Sequence, residues 1–287
     1  MGVLDTTRPH GKAVFDDIYN GPDARAYYKE LGSLGYEIPQ HAAQVFGPLV
    51  RQCSELNGTD TATVLDVCCS YGVGAALLKS DLTLDDLYAH YAEHESGKTP
   101  SDELARADTK LLEEHRLLDA PRVIGLDIAD QAIKYAVRAG LLDEGVAENL
   151  EESDPSPRLV ELLSDVDLIT TTGGVGYVTE STFERLFNYT SGEPWVAAFC
   201  LGIYDFAPIA DLLSERDFIT ERAGRTFRQR RFVDVAEQEW AIGELASRGR
   251  SMTSSESEYG FYADFYLARP AEQVAQCPLA ELLPHIA

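Results

Sequence analysis

The stretch from Thr63 to Gly74 limits what this chain can fold into more than any other. Thr63-Val64-Leu65-Asp66-Val67 is short, β-branched and apolar, so it reads as a buried strand. The loop Cys68-Cys69-Ser70-Tyr71-Gly72 follows at once, and Val73 to Lys79 has helical character. Small residues in such a turn let the backbone bend sharply and let a ligand approach it. The helix that follows presents free amide hydrogens to that ligand. A strand ending in a carboxylate, a small-residue turn and a helix make half of a nucleotide-binding unit.

The pattern recurs. Arg122-Val123-Ile124-Gly125-Leu126-Asp127-Ile128 is a second apolar run, followed by a helix from about Asp130 to Ala139 that Gly140 stops. A third run, 166–171, ends in Gly173-Gly174-Val175-Gly176, and a fourth is Trp195-Val196-Ala197-Ala198-Phe199-Cys200-Leu201. Short apolar strands alternating with helices predict an α/β fold, a parallel sheet wound on both faces. Residues 225–233 and 259–267 instead alternate with period two, which predicts an antiparallel pair at the edge of the sheet. Ligands of such sheets sit beyond the carboxyl ends of the strands, where strand order reverses. Asp127 stands where it could accept hydrogen bonds from both hydroxyls of a ribose.

The remaining segments are extra to that core. Residues 1–60 form an N-terminal helical arm ahead of an α/β domain over 61–287. Asp23 caps a helix through Leu31, and a second helix runs from Pro39 to about Leu56. Phe15, Ile18 and Tyr19 begin an apolar stripe, and Tyr27, Tyr28 and Tyr36 make the arm aromatic; they pack it down or line a pocket. Residues 81–121 form a helical insertion. It opens on Thr83-x-x-Asp86, a capping-box pattern, carries the stripe Leu84, Leu87, Tyr88 and Tyr91, and continues as a helix over 103–118. Arm and insertion together are expected to fold over the ligand. Residues 151–157 read as a solvated acidic connector.

Charge excludes some functions. The 287 residues hold 48 Asp and Glu against 24 Lys and Arg, a net charge of −24. Nucleic acid would be repelled by such a surface. The one basic cluster, Arg222, Arg225, Arg228, Arg230 and Arg231, alternates with Phe227, Gln229 and Phe232, and so reads as the charged face of a strand rather than an anion-binding stripe. No apolar run reaches the about 18 residues a membrane span needs. Met1-Gly2-Val3-Leu4-Asp5-Thr6 matches a loose myristoylation pattern with no polybasic second anchor. Five cysteines with an adjacent pair make neither a disulfide framework nor a zinc knuckle, so a reducing, cytoplasmic setting is expected. His90-Tyr91-Ala92-Glu93-His94 spells H-x-x-E-H, but on a helix the histidines flank the apolar stripe and Glu93 points opposite it, as on a solvated face, and no metal is expected. Cys68 and Cys69 are read as small turn residues rather than nucleophiles.

Val64-Leu65-Asp66-Val67-Cys68-Cys69-Ser70-Tyr71-Gly72-Val73-Gly74 resembles the first motif of class I S-adenosylmethionine-dependent methyltransferases. Gly125-Leu126-Asp127-Ile128-Ala129 resembles their second, Ala147-Glu148-Asn149-Leu150 stands where they contact adenine, and 165–173 stands at their fourth motif. The resemblance spans roughly residues 60–205. It implies a Rossmann-like, mostly parallel seven-stranded sheet with S-adenosylmethionine bound by Asp66, Cys68, Cys69, Ser70, Tyr71, Gly72, Asp127, Ile128, Asn149, Leu150, Thr172 and Gly173. Tyr177 and Tyr19 are the candidate catalytic residues, and Tyr71 is placed near the cofactor's methionine half. The chain departs from the family at Cys68 and Ser70, where glycines are usual. Asp66 and Asp127 are also 61 residues apart, against about 20 between fingerprint and acid in a simple unit; the insertion accounts for the difference. A dinucleotide dehydrogenase would share the geometry, but G-x-G-x-x-G is absent, as is a Walker loop.

The implied reaction is methyl transfer to a small-molecule acceptor of specialised metabolism. The Cys-Cys-Ser-Tyr-Gly loop followed by a long insertion is also similar to azetidine-2-carboxylate synthases. These cyclise S-adenosylmethionine through its own α-amine and release methylthioadenosine. A non-catalytic cofactor-binding regulator is the third reading. The partner expected in every case is a small molecule, with a homodimer left open.

Overall fold

The computed structural model describes residues 16–94, 99–253 and 258–286. Phe15 and the pattern over Met1 to Thr6 lie outside the described residues. The strands are β1 (Thr63–Val67), β2 (Arg122–Asp127), β3 (Glu144–Ala147), β4 (Leu168–Thr172), β5 (Trp195–Leu201), β6 (Phe218–Arg230) and β7 (Phe261–Pro270). They form one seven-stranded sheet in the order β3-β2-β1-β4-β5-β7-β6. The first five pair in parallel. β7 is antiparallel to both β5 and β6, so it is the one reversed strand, and β6 at the edge restores the common direction. This is the Rossmann-like α/β architecture expected from the sequence.

The sheet is buried on both faces because successive strand residues point to opposite sides and both sets are apolar. Val64, Val123, Leu168 and Phe199 face one side. They pack there with helices α3 (Ile38–Asn57), α4 (Val73–Lys79) and α7 (Asp130–Arg138). Leu65, Ile124, Ile169 and Val196 face the other, against α8 (Pro157–Leu163), α9 (Glu180–Tyr189) and α10 (Ala207–Ser214). No helix among the described residues is long and apolar enough to cross a membrane.

The arm comprises α1 (Asp16–Tyr19), α2 (Arg25–Ser33) and α3. Asp23 is not the cap of α2: Ala24 holds that position. The carboxylate of Asp23 instead accepts from the Arg25 amide at 3.2 Å and from its guanidinium at 2.6 Å, one step before the helix. The insertion comprises α5 (Leu84–Glu93) and α6 (Ser101–His115). Thr83 and Asp86 form the expected reciprocal cap of α5. Its apolar stripe packs on the arm, where the rings of Tyr28 and Tyr91 stack 4.0 Å apart. Asp108 of α6 ties this layer together, accepting from the hydroxyls of Tyr91 at 2.6 Å and Tyr135 at 2.5 Å and contacting His90 Nε2 at 2.7 Å.

Several elements were not anticipated. β3 has only four residues, two of them Glu144 and Gly145, too short and polar to show a period. α11 (Val235–Ser247) starts at Asp234, whose side chain accepts the Glu237 amide.

Candidate functional site

A cavity of about 610 Å³ opens at the carboxyl ends of β1, β2 and β4, where the strand order reverses. That volume lies within the roughly 300–1,000 Å³ of small-molecule sites. Asp66, Cys68, Cys69 and Ser70 reach it from the first turn, and Asp127 and Ile128 from the end of β2. Asn149 and Leu150 enter after β3, Thr172 and Gly173 at the end of β4, and Tyr19 and Tyr177 also line it. Tyr71 and Gly72 are not among its lining residues.

The first turn is strained where the chain lacks the expected glycines. Cys68, Ser70 and Gly72 all take left-handed backbone, with φ of 60°, 50° and 74°. For a residue with a Cβ this conformation costs about 1–2 kcal/mol. Both non-glycine residues line the cavity, and the Ser70 hydroxyl is buried without a hydrogen-bond partner. A turn that keeps two strained side chains and an orphan hydroxyl is shaped for a ligand. Burial pushes both cysteine thiols well up, so neither is a thiolate nucleophile near neutral pH.

Asp127 organises the turn. Its Oδ2 accepts the Ser70 amide at 2.8 Å and its Oδ1 the Ala129 amide at 3.0 Å. Asp66 lies deeper and accepts the Thr170 hydroxyl at 2.9 Å. Burial pushes its carboxyl up to about 7; the Thr170 hydrogen bond opposes this and the Asp127 charge adds to it. That is the range in which a carboxyl can take or give a proton under physiological conditions.

At one end Ile128 stands 72% exposed beside Asp127, an apolar side chain open to contact. Glu148 accepts the Ser156 amide, and Asn149 Oδ1 accepts the Glu151 amide. Glu151 is more than a solvated connector residue. It accepts from the Thr179 amide at 2.8 Å and from the Thr182 hydroxyl at 2.5 Å, closing the cavity wall against α9.

The other end is aromatic. Tyr19, Tyr27, Tyr36 and Tyr177 line it together with Pro39 and Gln229. Tyr27 meets Tyr19, Tyr36 and Tyr71 edge to face at 5.6, 6.2 and 5.7 Å. Burial raises the hydroxyl of Tyr19 well above its ordinary value and that of Tyr36 to about 12. Both are therefore neutral hydrogen-bond donors rather than bases. Tyr177 sits at the rim, 62% exposed.

Tyr71 anchors the arm instead of facing a ligand. Its ring is fully buried, and its hydroxyl accepts the Gly21 amide at 2.7 Å and donates to the Ile18 carbonyl at 3.1 Å. Gly72 packs the turn onto α7 and its exit, where an added Cβ would lie 3.2 Å from Leu142. Tyr71→Phe is expected to cost about 1–2 kcal/mol by leaving the Gly21 amide unpaired. Amide exchange should then speed up across residues 18–31 and stay unchanged in β1; unchanged exchange in the arm would refute this anchoring role.

The described part of the insertion does not line the cavity, because the apolar face of α5 is spent on α2. Tyr28 likewise turns toward Tyr91, away from the site. Among the described residues, no group of three or more His, Cys, Asp or Glu side chains is placed to hold a metal ion.

The arginine stripe on β6 also differs from a simple solvated face. Register shifts between Arg222 and Thr226 and between Arg228 and Arg230 break the alternation, and consecutive Gln229 and Arg230 are both buried. Arg230 pairs with Glu237 at 2.7 Å, and Arg228 with Glu37. The Glu37 amide donates to the Gln229 carbonyl at 2.9 Å, and the Arg231 amide to the Leu34 carbonyl at 2.9 Å. The arm is thus clipped to the end of β6, which brings Tyr36 and Gln229 into one wall. Gln229 and Glu151 were not among the candidates read from sequence. The only signal for Gln229 was a polar residue on the inward face of an alternating run.

No protein-family model matches this chain, and no curated protein matches it. Among solved structures it is similar to plantazolicin methyltransferase BpumL in complex with SAH, with 13% identity and a TM-score of 0.45 over 88% of this chain and 93% of that one. It is also similar to precorrin-6y C5,15-methyltransferase from Geobacter metallireducens, with 10% identity and a TM-score of 0.37 over 73% and 79%. A SAM-dependent O-methyltransferase from Thermotoga maritima follows, with 13% identity and a TM-score of 0.35 over 73% and 59%.

Proposed function

We propose that the chain is an S-adenosylmethionine-dependent transferase that acts on a small molecule, with methyl transfer to a separate acceptor as its reaction. The observation that carries this reading is the charge of the cavity. Among the described residues, those that line it include Asp66, Asp127, Glu148 and Glu151 and no lysine or arginine. A dinucleotide's pyrophosphate would meet four carboxylates there and no cation, whereas a sulfonium and an ammonium are drawn in.

The residues present fit such a ligand. Asp127 has lone pairs left for ribose hydroxyls beside the two amides it holds. Ile128 and Leu150 offer apolar contact to a base, and the orphan Ser70 hydroxyl gains a partner. Tyr19, Tyr36 and Tyr177 turn ring systems toward the opposite end, where each face over the sulfonium contributes about 0.5–2 kcal/mol. The bound cofactor supplies a methyl carbon open to in-line attack. The protein's part is to align the nucleophile, exclude water and, where the acceptor must lose a proton, receive it on Asp66.

A second reading, cyclisation of the cofactor to azetidine-2-carboxylate, is favoured by one observation. The aromatic end is walled by the arm, and its tyrosines are buried enough to raise their hydroxyls. Such an environment keeps an amine neutral and nucleophilic. Titration calorimetry should give micromolar binding of S-adenosylmethionine or S-adenosylhomocysteine and none of a nicotinamide dinucleotide; the reverse result would end the proposal. Mass spectrometry then separates the reactions. Methylthioadenosine from cofactor alone indicates cyclisation. S-adenosylhomocysteine that appears only when a small-molecule extract is added indicates methyl transfer. Binding with neither product leaves a non-catalytic regulator. The proposed partner is a small molecule, in a reducing, cytoplasmic setting.

A further inference from the structure

Gln229 lies on β6, outside every motif that resembles the methyltransferases, and yet it is among the residues that line the cavity. Only 6% of the residue is exposed, and its carboxamide oxygen has no hydrogen-bond partner. A buried carbonyl oxygen without a donor is rare and destabilising in a native protein. The strand that carries Gln229 is held in place, because its own carbonyl accepts the Glu37 amide and its neighbours Arg228 and Arg230 are paired with Glu37 and Glu237. The glycine at 173 leaves room for the carboxamide, whose nitrogen lies 3.1 Å from where a Cβ would stand.

What could satisfy that oxygen follows from its surroundings. It must be a hydrogen-bond donor. The four carboxylates of the cavity repel an anion, and Tyr19, Tyr36 and Tyr177 share this end, with ring faces that favour a cation. We propose that Gln229 and the tyrosines around it form an amine site, in which the Gln229 carboxamide oxygen accepts an N–H of a primary amine. The proposal rests on the S-adenosylmethionine reading. The amine is either the α-amino group of the cofactor itself or that of a separate acceptor, and the two sources can be told apart.

The experiment titrates wild type, Gln229→Met and Gln229→Glu with S-adenosylhomocysteine and with methylthioadenosine, which lacks the amino-acid half. Propylamine is then titrated into protein loaded with S-adenosylhomocysteine. If the amine is the cofactor's own, Gln229→Met weakens S-adenosylhomocysteine at least tenfold and methylthioadenosine less than twofold. If it belongs to an acceptor, both nucleosides bind as before, and propylamine binds wild type but not Gln229→Met. Gln229→Glu keeps an acceptor oxygen and should retain amine binding in either case. A structural role would not be rescued in this way. The proposal is overturned if Gln229→Met changes none of the three affinities, if it weakens both nucleosides equally, or if Gln229→Glu fails where Gln229→Met fails. Wild type that binds neither nucleoside would instead remove the S-adenosylmethionine reading on which the site depends.

Discussion

Asp127→Ala is expected to lower cofactor affinity more than about a hundredfold and to destabilise the free protein at the same time. Its carboxylate holds the Ser70 amide and the Ala129 amide, so it joins the first turn to the end of β2 even without ligand. Hydrogen bonds to a charged acceptor are each worth about 1.5–3 kcal/mol. Losing both should cost roughly 3–6 kcal/mol, a fall of about 6–15 °C in a domain of this size. A simple ribose-binding acid at the end of a strand would leave the free protein untouched, so the two effects together distinguish this turn. The left-handed backbone at Ser70 makes the coupling stronger, because the amide that Asp127 holds belongs to a strained residue. Released from it, Ser70 would relax and carry its hydroxyl out of the cavity wall. Thermal melting and calorimetry with S-adenosylhomocysteine check both halves. Affinity within threefold of wild type would mean that Asp127 faces no part of the ligand.

The elements legible in the sequence were those whose pattern is local. β1, α4 and β5 were read at their observed bounds, because each is an unbroken apolar run or a helix set directly against a turn. The reciprocal cap of Thr83 and Asp86 was likewise readable from two residues. The cavity-facing position of Cys68 and Ser70 followed from their place in the turn, and their left-handed backbone could be anticipated from the glycines they replace.

What was not legible depends on pairings between distant segments. The apolar stripe of α5 says that one face is buried but not against what; here α2 takes it, and the described part of the insertion braces the arm instead of lining the cavity. Tyr71 and its neighbour Ser70 belong to the same five-residue loop, yet one anchors Gly21 and the other faces the ligand space. Only the dihedral angles of the turn decide between them. The two register shifts in β6 are the clearest case. Strict alternation puts Gln229 and Arg230 on opposite faces, whereas the shift before Arg230 buries both, one in the cavity and one against Glu237. No period in the sequence marks that shift.

Asp66→Asn is expected to stabilise the free protein at pH 8 and to leave it unchanged near pH 4. The folded protein holds this carboxyl near 7, chiefly through burial, while an unfolded chain holds it near about 3.9. Below pH 4 the group is protonated in both states and contributes nothing. Between about 4 and 7 the unfolded chain gives up the proton that the folded chain keeps, so stability falls as pH rises. Above 7 the penalty is constant, and about three pH units correspond to an upper bound of about 4 kcal/mol. Asparagine carries no such penalty and still offers Thr170 an acceptor oxygen, so the variant should melt about 5–10 °C higher than wild type at pH 8. Ligand binding should show the opposite preference. A cation in the cavity favours the ionised carboxylate, so the affinity of the wild type for S-adenosylmethionine should rise about tenfold between pH 6 and pH 8, with a proton released on binding near pH 6. In Asp66→Asn that rise should vanish, and the affinity at pH 8 should fall below wild type. Calorimetry in two buffers of different ionisation enthalpy reads the proton directly. A pH-independent affinity in the wild type would place the cationic part of the ligand away from Asp66, and equal melting of the two proteins at pH 8 would show that burial does not hold the proton there.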